Sequence, residues 1–184
     1  MGTQKGPWIV NNSKTVYQNK WLWLREDDVI RPDGNKGTFS VVGIKPGISI
    51  LPIDAEQNVY LTKEFHYAIE QETIEVVSGG IESDEPIEQA AKRELVEELG
   101  ISANKLIPVG KINQFTSIVV SPNYQFIAQD LSFTSTNPEG TEKIAMVKIP
   151  FTTAYNWVLE SQISDAITSI LIMKAKTILQ IQTE

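Results

Sequence analysis

Three glutamates, Glu94, Glu97 and Glu98, crowd together in the stretch GGIESDEPIEQAAKRELVEELGI, which runs from Gly79 to Ile101. On a helix they fall within an arc of about 100°, with no lysine or arginine among them. Like charges three and four residues apart each cost about 0.2–0.5 kcal/mol. A solvated acidic face is the ordinary explanation of a glutamate-rich helix. Here nothing on the arc offsets the repulsion, so a bound cation explains the cluster more economically. Mg²⁺ takes hard oxygen ligands, accepts one or two carboxylates, keeps several waters and completes its shell from substrate phosphates. An open carboxylate cluster suits it, and would reconcile an acidic protein with an anionic substrate.

The helix that must carry these residues is well bounded. Pro86 suits its first turn and Gly100 the position just past its end. Ala91, Leu95 and Leu99 recur every four residues and form its buried stripe. Before it the chain reads as strands. KTVYQNKWLWLREDDVIRP, with Trp21 and Trp23 alternating onto one face, the turn PDGNKG (Pro32 to Gly37) and TFSVVGI make a small antiparallel unit. ISILPI, the turn DAEQN and VYLTKEFHYAI follow, rich in β-branched and aromatic residues. After the helix, SPNYQFIAQDLSF and IAMVKIPF read as strands joined by the polar loop TSTNPEGTEK. The end reads as helical: TAYNWVLES, then SDAITSILIMKAKTILQI with Ser164 as its N-cap. Strands on both sides of a helix, closed by further helices, predict a layered α/β fold.

The whole chain sets limits on the chemistry. Its 184 residues suffice for one domain of ordinary size with a small appendage. The composition, 41% hydrophobic and 21% charged, is that of a globular protein. A net charge of -7 argues against a nucleic-acid groove. With no cysteine and only His66, disulfides, thiolate nucleophiles, cysteine zinc sites and multi-histidine metal sites are excluded. No run of seven or more apolar residues follows a basic start, and no segment approaches the length of a membrane span. No membrane partner and a cytoplasmic location are therefore expected.

Gly79, Glu85, Arg93, Glu94, Leu95, Glu97, Glu98, Gly100 and Ile101 match every fixed position of the Nudix box, and the chain is identified on them as resembling the Nudix hydrolases. A chance match of this kind has a probability on the order of 10⁻⁷. The resemblance implies an α/β/α sandwich with a mixed sheet over residues 46–184, and a small N-terminal antiparallel β unit over 1–45. It implies hydrolysis of a compound in which a nucleoside diphosphate is linked to another group, with Mg²⁺ or Mn²⁺ as cofactor. By the same likeness Glu94, Glu97 and Glu98 are metal ligands, joined by the backbone carbonyl of Ser78 or Gly79. Arg93 and Glu85 form a supporting pair that fixes the carboxylates.

Softer segments extend the likeness toward the ADP-ribose pyrophosphatase and nucleoside diphosphate sugar hydrolase branch: WLWLREDDVIRPDG, VYLTKEFHYAIEQETIEVVSGG, FIAQDL and ESQISDAITSILIMKA. That branch implies a homodimer exchanging its N-terminal strands, with Trp21 or Trp23 stacking on the base. It implies a loop glutamate as general base, Glu142 or Glu139, with Glu97 or Glu98 in the helix as the other option. His66 stands where relatives commonly carry a phosphate-binding arginine, and imidazole can donate to phosphate. Glu75 matches a glutamate used near the metal site. Val77-Ser78 replaces the usual Pro-Ala, and the register of Pro122 is open. The expected reaction splits a nucleoside diphosphate sugar into a nucleoside monophosphate and a sugar phosphate. The alternatives are another nucleoside diphosphate derivative, such as a dinucleotide, and a non-catalytic nucleotide sensor.

Overall fold

A computed structural model describes residues 2–134 and 144–182. The chain divides into two compact units, one formed by residues 1–46 with 113–122 and the other by 47–112 with 123–184.

The first unit is a five-stranded sheet. Strands β1 (Thr3–Lys5), β2 (Trp8–Gln18), β3 (Leu22–Ile30) and β4 (Lys36–Ile44) follow one another antiparallel, and β10 (Val119–Val120) adds to β4 in parallel. The β3–β4 turn falls within the expected Pro32 to Gly37 segment. In it Asp33 accepts from the Asn35 amide and pairs with Arg31 at 2.8 Å. The β2–β3 turn is set by Asn19, whose side chain accepts from the amides of Trp21 and Leu22.

In the second unit one sheet has the order β8 (Val77–Gly80), β5 (Gly47–Pro52), β11 (Pro122–Phe133), β9 (Ile101–Asn113). A three-stranded sheet has the order β12 (Ala145–Pro150), β6 (Asn58–His66), β7 (Gln71–Glu75). β5 pairs parallel with β11 and antiparallel with β8, so the sheet is mixed. Strand alternation sorts the core into two layers. Ile48, Ile50, Phe126 and Ala128 pack with Ala90, Ala91, Leu95 and Leu99 of helix α1 (Ile87–Leu99). Leu51, Ile53 and Ile127 point the other way, to α2 (Phe151–Leu159) and α3 (Ala166–Ile178). This is an α/β/α sandwich, as expected.

The limits of α1 fall within one residue of those the sequence implies, with Pro86 just ahead of the first turn and not in it. Pro86 is its N-cap, and Gly100 its C-cap, with φ of 61° and its amide bonded to the Leu95 and Val96 carbonyls. The cap of the last helix differs. Asp165, not Ser164, accepts from the Thr168 amide at 2.7 Å, because a carboxylate one residue on reaches the third helical N–H and favours the positive end of the helix. Among the described residues no helix is long and apolar enough to cross a membrane.

Candidate active site

Helix α1 lies along β8, and where they meet there is no room for a side chain. A Cβ on Gly79 would stand 2.0 Å from the Glu94 carboxyl carbon. Only glycine lets the carboxylate rest against the strand backbone.

Arg93 organises the acidic residues around this contact. Its Nε and Nη2 donate to the two oxygens of Glu85 at 2.9 and 3.0 Å. Nη1 donates both to Glu94 Oε1 at 2.7 Å and to Glu97 Oε2 at 2.9 Å, while Nη2 also donates to the Gly80 carbonyl at 2.9 Å. Glu85 in turn accepts from the Glu82 amide at 2.9 Å, which ties the loop before α1 to the network. The bond to Glu85 and the neighbouring Glu94 and Glu97 push the Arg93 pKa further up, so the guanidinium stays charged.

This corrects the expectation that no cation relieves the glutamates. Arg93 is one residue outside their arc, but its long planar fork reaches round the helix to two of them. One guanidinium is thus shared among three carboxylates, Glu85, Glu94 and Glu97. Glu98 stands half-buried beside Glu97 on the same helix.

Among the described residues no three acidic or imidazole groups form a ready metal cage. The donor set nonetheless fits Mg²⁺, which needs only one or two carboxylates from the protein. The hard oxygens of Glu94 and Glu97 are already gathered around one cationic nitrogen, and the missing Cβ of Gly79 gives Glu94 its place.

The other sequence candidates have contacts of their own. His66 Nε2 is 3.1 Å from Glu75 Oε1, and Thr73 donates to the same oxygen at 2.6 Å. Burial raises the Glu75 pKa, helped by the nearby Asp165 and Glu64 and opposed by Thr73 and His66. Trp23 packs against Gly43, where a Cβ would come within 1.9 Å of the indole, and Arg25 sits over its ring at 5.3 Å. Trp21 belongs to the β2–β3 turn, ahead of the strand, so the alternation expected to put both tryptophans on one face does not apply to it. It is 60% exposed, with Lys20 Nζ 4.1 Å from its ring centre. Glu139 and Glu142 lie outside the described residues. Pro122 opens β11.

A second polar network in the same unit was not read from the sequence. Asp54 closes the β5–β6 turn and accepts from the Asn58 amide at 2.7 Å and the Tyr60 hydroxyl at 2.9 Å, with Lys148 Nζ at 3.1 Å. Burial alone would raise its pKa, but these bonds outweigh that and hold it at about 2. The Asp-x-x-x-Asn spacing across the turn was the available signal.

Comparison with known proteins bears on the site. A family model described as NUDIX domain matches residues 43–163, and one described as nucleoside diphosphate sugar hydrolase N-terminal domain matches residues 8–42. An ADP-ribose pyrophosphatase of Bacillus subtilis (strain 168) is 26% identical over 177 residues, covering 91% of this chain and 92% of the relative. The ADP compounds hydrolase NudE of Escherichia coli (strain K12) is 26% identical over 141 residues, 76% of this chain and 75% of its own length. A methanol dehydrogenase activator of Bacillus methanolicus is 21% identical over 169 residues, 87% of this chain and 88% of that protein. A crystal structure of an ADP compounds hydrolase superposes with a TM-score of 0.80 at 22% identity, covering 93% of both chains, which shows the shared fold.

Proposed function

The chain belongs to the Nudix family, and from that premise we propose that it hydrolyses the pyrophosphate bond of a nucleoside diphosphate sugar resembling ADP-ribose, releasing a nucleoside monophosphate and a sugar phosphate. The observation that carries this reading is the seat of Glu94 against Gly79, with Arg93 drawing Glu85 and Glu97 into the same network. The matched N-terminal domain and the ADP-ribose pyrophosphatase relative support the sugar nucleotide over other diphosphates.

Glu94, Glu97 and Glu98, with the carbonyl of Ser78 or Gly79, would hold Mg²⁺ or Mn²⁺. Such an ion neutralises phosphate oxygens and lowers the pKa of the attacking water. The chain's own contribution is orientation. Arg93 fixes the rotamers of Glu94 and Glu97, and Glu85 fixes Arg93, so the carboxylates are arranged before substrate arrives. Glu142 or Glu139 is the proposed general base. Trp21, exposed, is the better placed of the two tryptophans to stack on a base, since Trp23 already covers Gly43. His66, oriented by Glu75, is the proposed phosphate contact.

We assign a homodimer as the working state. The N-terminal unit exposes Val16, Tyr17, Trp21, Ile44, Phe115 and Ile118, more apolar surface than one small sheet needs to leave in water. Light scattering should give twice the 20.5 kDa chain mass.

The reaction is tested by incubating the protein with ADP-ribose, ADP-glucose, GDP-mannose and UDP-sugars in the presence of Mg²⁺, and identifying the products. Monophosphate and sugar phosphate in equal amounts are expected from at least one. Turnover of none defeats the reading, and turnover of dinucleotides alone moves it to that substrate class.

A further inference from the structure

The sheet face opposite α1 carries a polar ladder beneath the site. Asn123 on β11, Ser49 on β5 and Ser78 on β8 reach across three adjoining strands. Asn123 Nδ2 donates to Ser49 Oγ at 3.0 Å, the Ser49 and Ser78 hydroxyls are 2.8 Å apart, and Ser78 Oγ donates to the Val76 carbonyl at 3.2 Å. The two ends set the direction of the whole series. An amide nitrogen only donates and a carbonyl only accepts, so the Ser49 hydroxyl must donate to Ser78.

Ser49 is fully buried and Asn123 is 4% exposed. Among the described residues, the Asn123 Oδ1 atom is buried without a donor. A buried acceptor without a donor gives up its hydration for nothing in return, a penalty that a small apolar side chain would avoid. Fold stability therefore does not account for the amide. Its place does offer an account. Ser78 immediately precedes Gly79, against which the Glu94 carboxylate rests. On the neighbouring strand, a Cβ on Gly47 would stand 3.2 Å from the Gly79 carbonyl oxygen and 3.4 Å from Asn123 Nδ2. The ladder thus grips β8 at Ser78, from the face opposite Glu94 and one residue before the glycine that this carboxylate touches.

We propose that Asn123 is a positioning residue which, through Ser49 and Ser78, holds β8 at the height where Gly79 and Glu94 together can grip a divalent cation. The inference rests on the metal reading above and deepens it, since neighbours that orient metal ligands typically change metal affinity by 10–100-fold when removed.

The test is Mn²⁺ uptake by the full chain, read from the free-ion electron paramagnetic resonance signal without nucleotide, beside thermal unfolding. Asn123→Ala and Ser78→Ala should each raise the Mn²⁺ Kd about tenfold. The Tm of Asn123→Ala should stay near that of the wild type, because the orphaned acceptor leaves with the lost bond. Gln125→Ala is the matched control. Gln125 is buried two residues further along the same strand, but its amide bonds the Ile167 carbonyl and Lys174. That variant should lose Tm and keep the wild-type Kd. If Asn123→Ala fails to fold, the half-buried Ser78 carries the test alone. Unchanged Kd in the ladder variants overturns the inference and leaves the metal reading standing. An equal rise in Gln125→Ala also overturns it, by showing a general loosening. A wild type that takes up no Mn²⁺ overturns both.

Discussion

Two carboxylate networks in the catalytic unit are built on opposite balances. Around Arg93 one cation is shared among Glu85, Glu94 and Glu97, and a carbonyl takes another of its protons. Around Asp54 one carboxylate receives an amide, a carboxamide, a phenol and an ammonium group. The first gathers three carboxylates around one guanidinium, the arrangement proposed above to hold a divalent cation. The second is saturated and holds a turn. Nearby donors and acceptors look alike in the two places, and the ratio of charges separates a site from a staple.

Glutamate-to-glutamine changes break this contrast most sharply. Glu94→Gln and Glu97→Gln should each lower kcat by at least about 10²-fold, the upper end for removing a group that merely orients a ligand, and by more if they bind the ion directly. Steady-state kinetics over a Mg²⁺ series measures this. Gly79→Ala should cost about 10–100-fold in kcat, because a methyl group 2.0 Å from the Glu94 carboxyl must push it aside. Its Mg²⁺ requirement should rise in parallel. Arg93→Lys keeps the charge and loses the fork to Glu85, with an expected stability loss of roughly 1–3 kcal/mol in urea unfolding and a smaller fall in rate than Glu97→Gln.

The saturated network should respond in stability and not in rate. Asp54 is held at about 2 against an ordinary 3.8, so its contribution is complete above 3.8 and is lost as pH falls from there toward 2. Asp54→Asn should therefore cost about 1–2 kcal/mol at neutral pH, allowing for solvent screening, and flatten the acid limb of the stability curve. Its kcat at neutral pH should match the wild type. A large fall in kcat would mean that the two networks are not separate in function.

Much of this was legible in the sequence, for reasons that are local. Pro86 and Gly100 bound α1 because caps depend on single residues, and the four-residue spacing of Ala91, Leu95 and Leu99 gave its buried stripe. The strand β9 has no clear sequence signal. Its partly buried residues do not alternate, and Pro108 and Gly110 interrupt it. The sequence pairs Arg93 with Glu85 but not with Glu94 and Glu97, because an angular projection of a helix ignores how far a guanidinium reaches. The aromatic content around Trp21 predicts a strand that in fact begins one residue later, since it does not reveal that Asn19 caps the turn. The Asn123, Ser49 and Ser78 ladder joins residues far apart in the chain, and no spacing could announce it.

The most direct test of the whole account is nucleoside monophosphate release from the best substrate of the panel, followed as Mg²⁺ is added back to EDTA-treated protein. We expect no release before addition and a saturable rise after it, lost in Glu97→Gln. Release at an undiminished rate in EDTA would contradict the account.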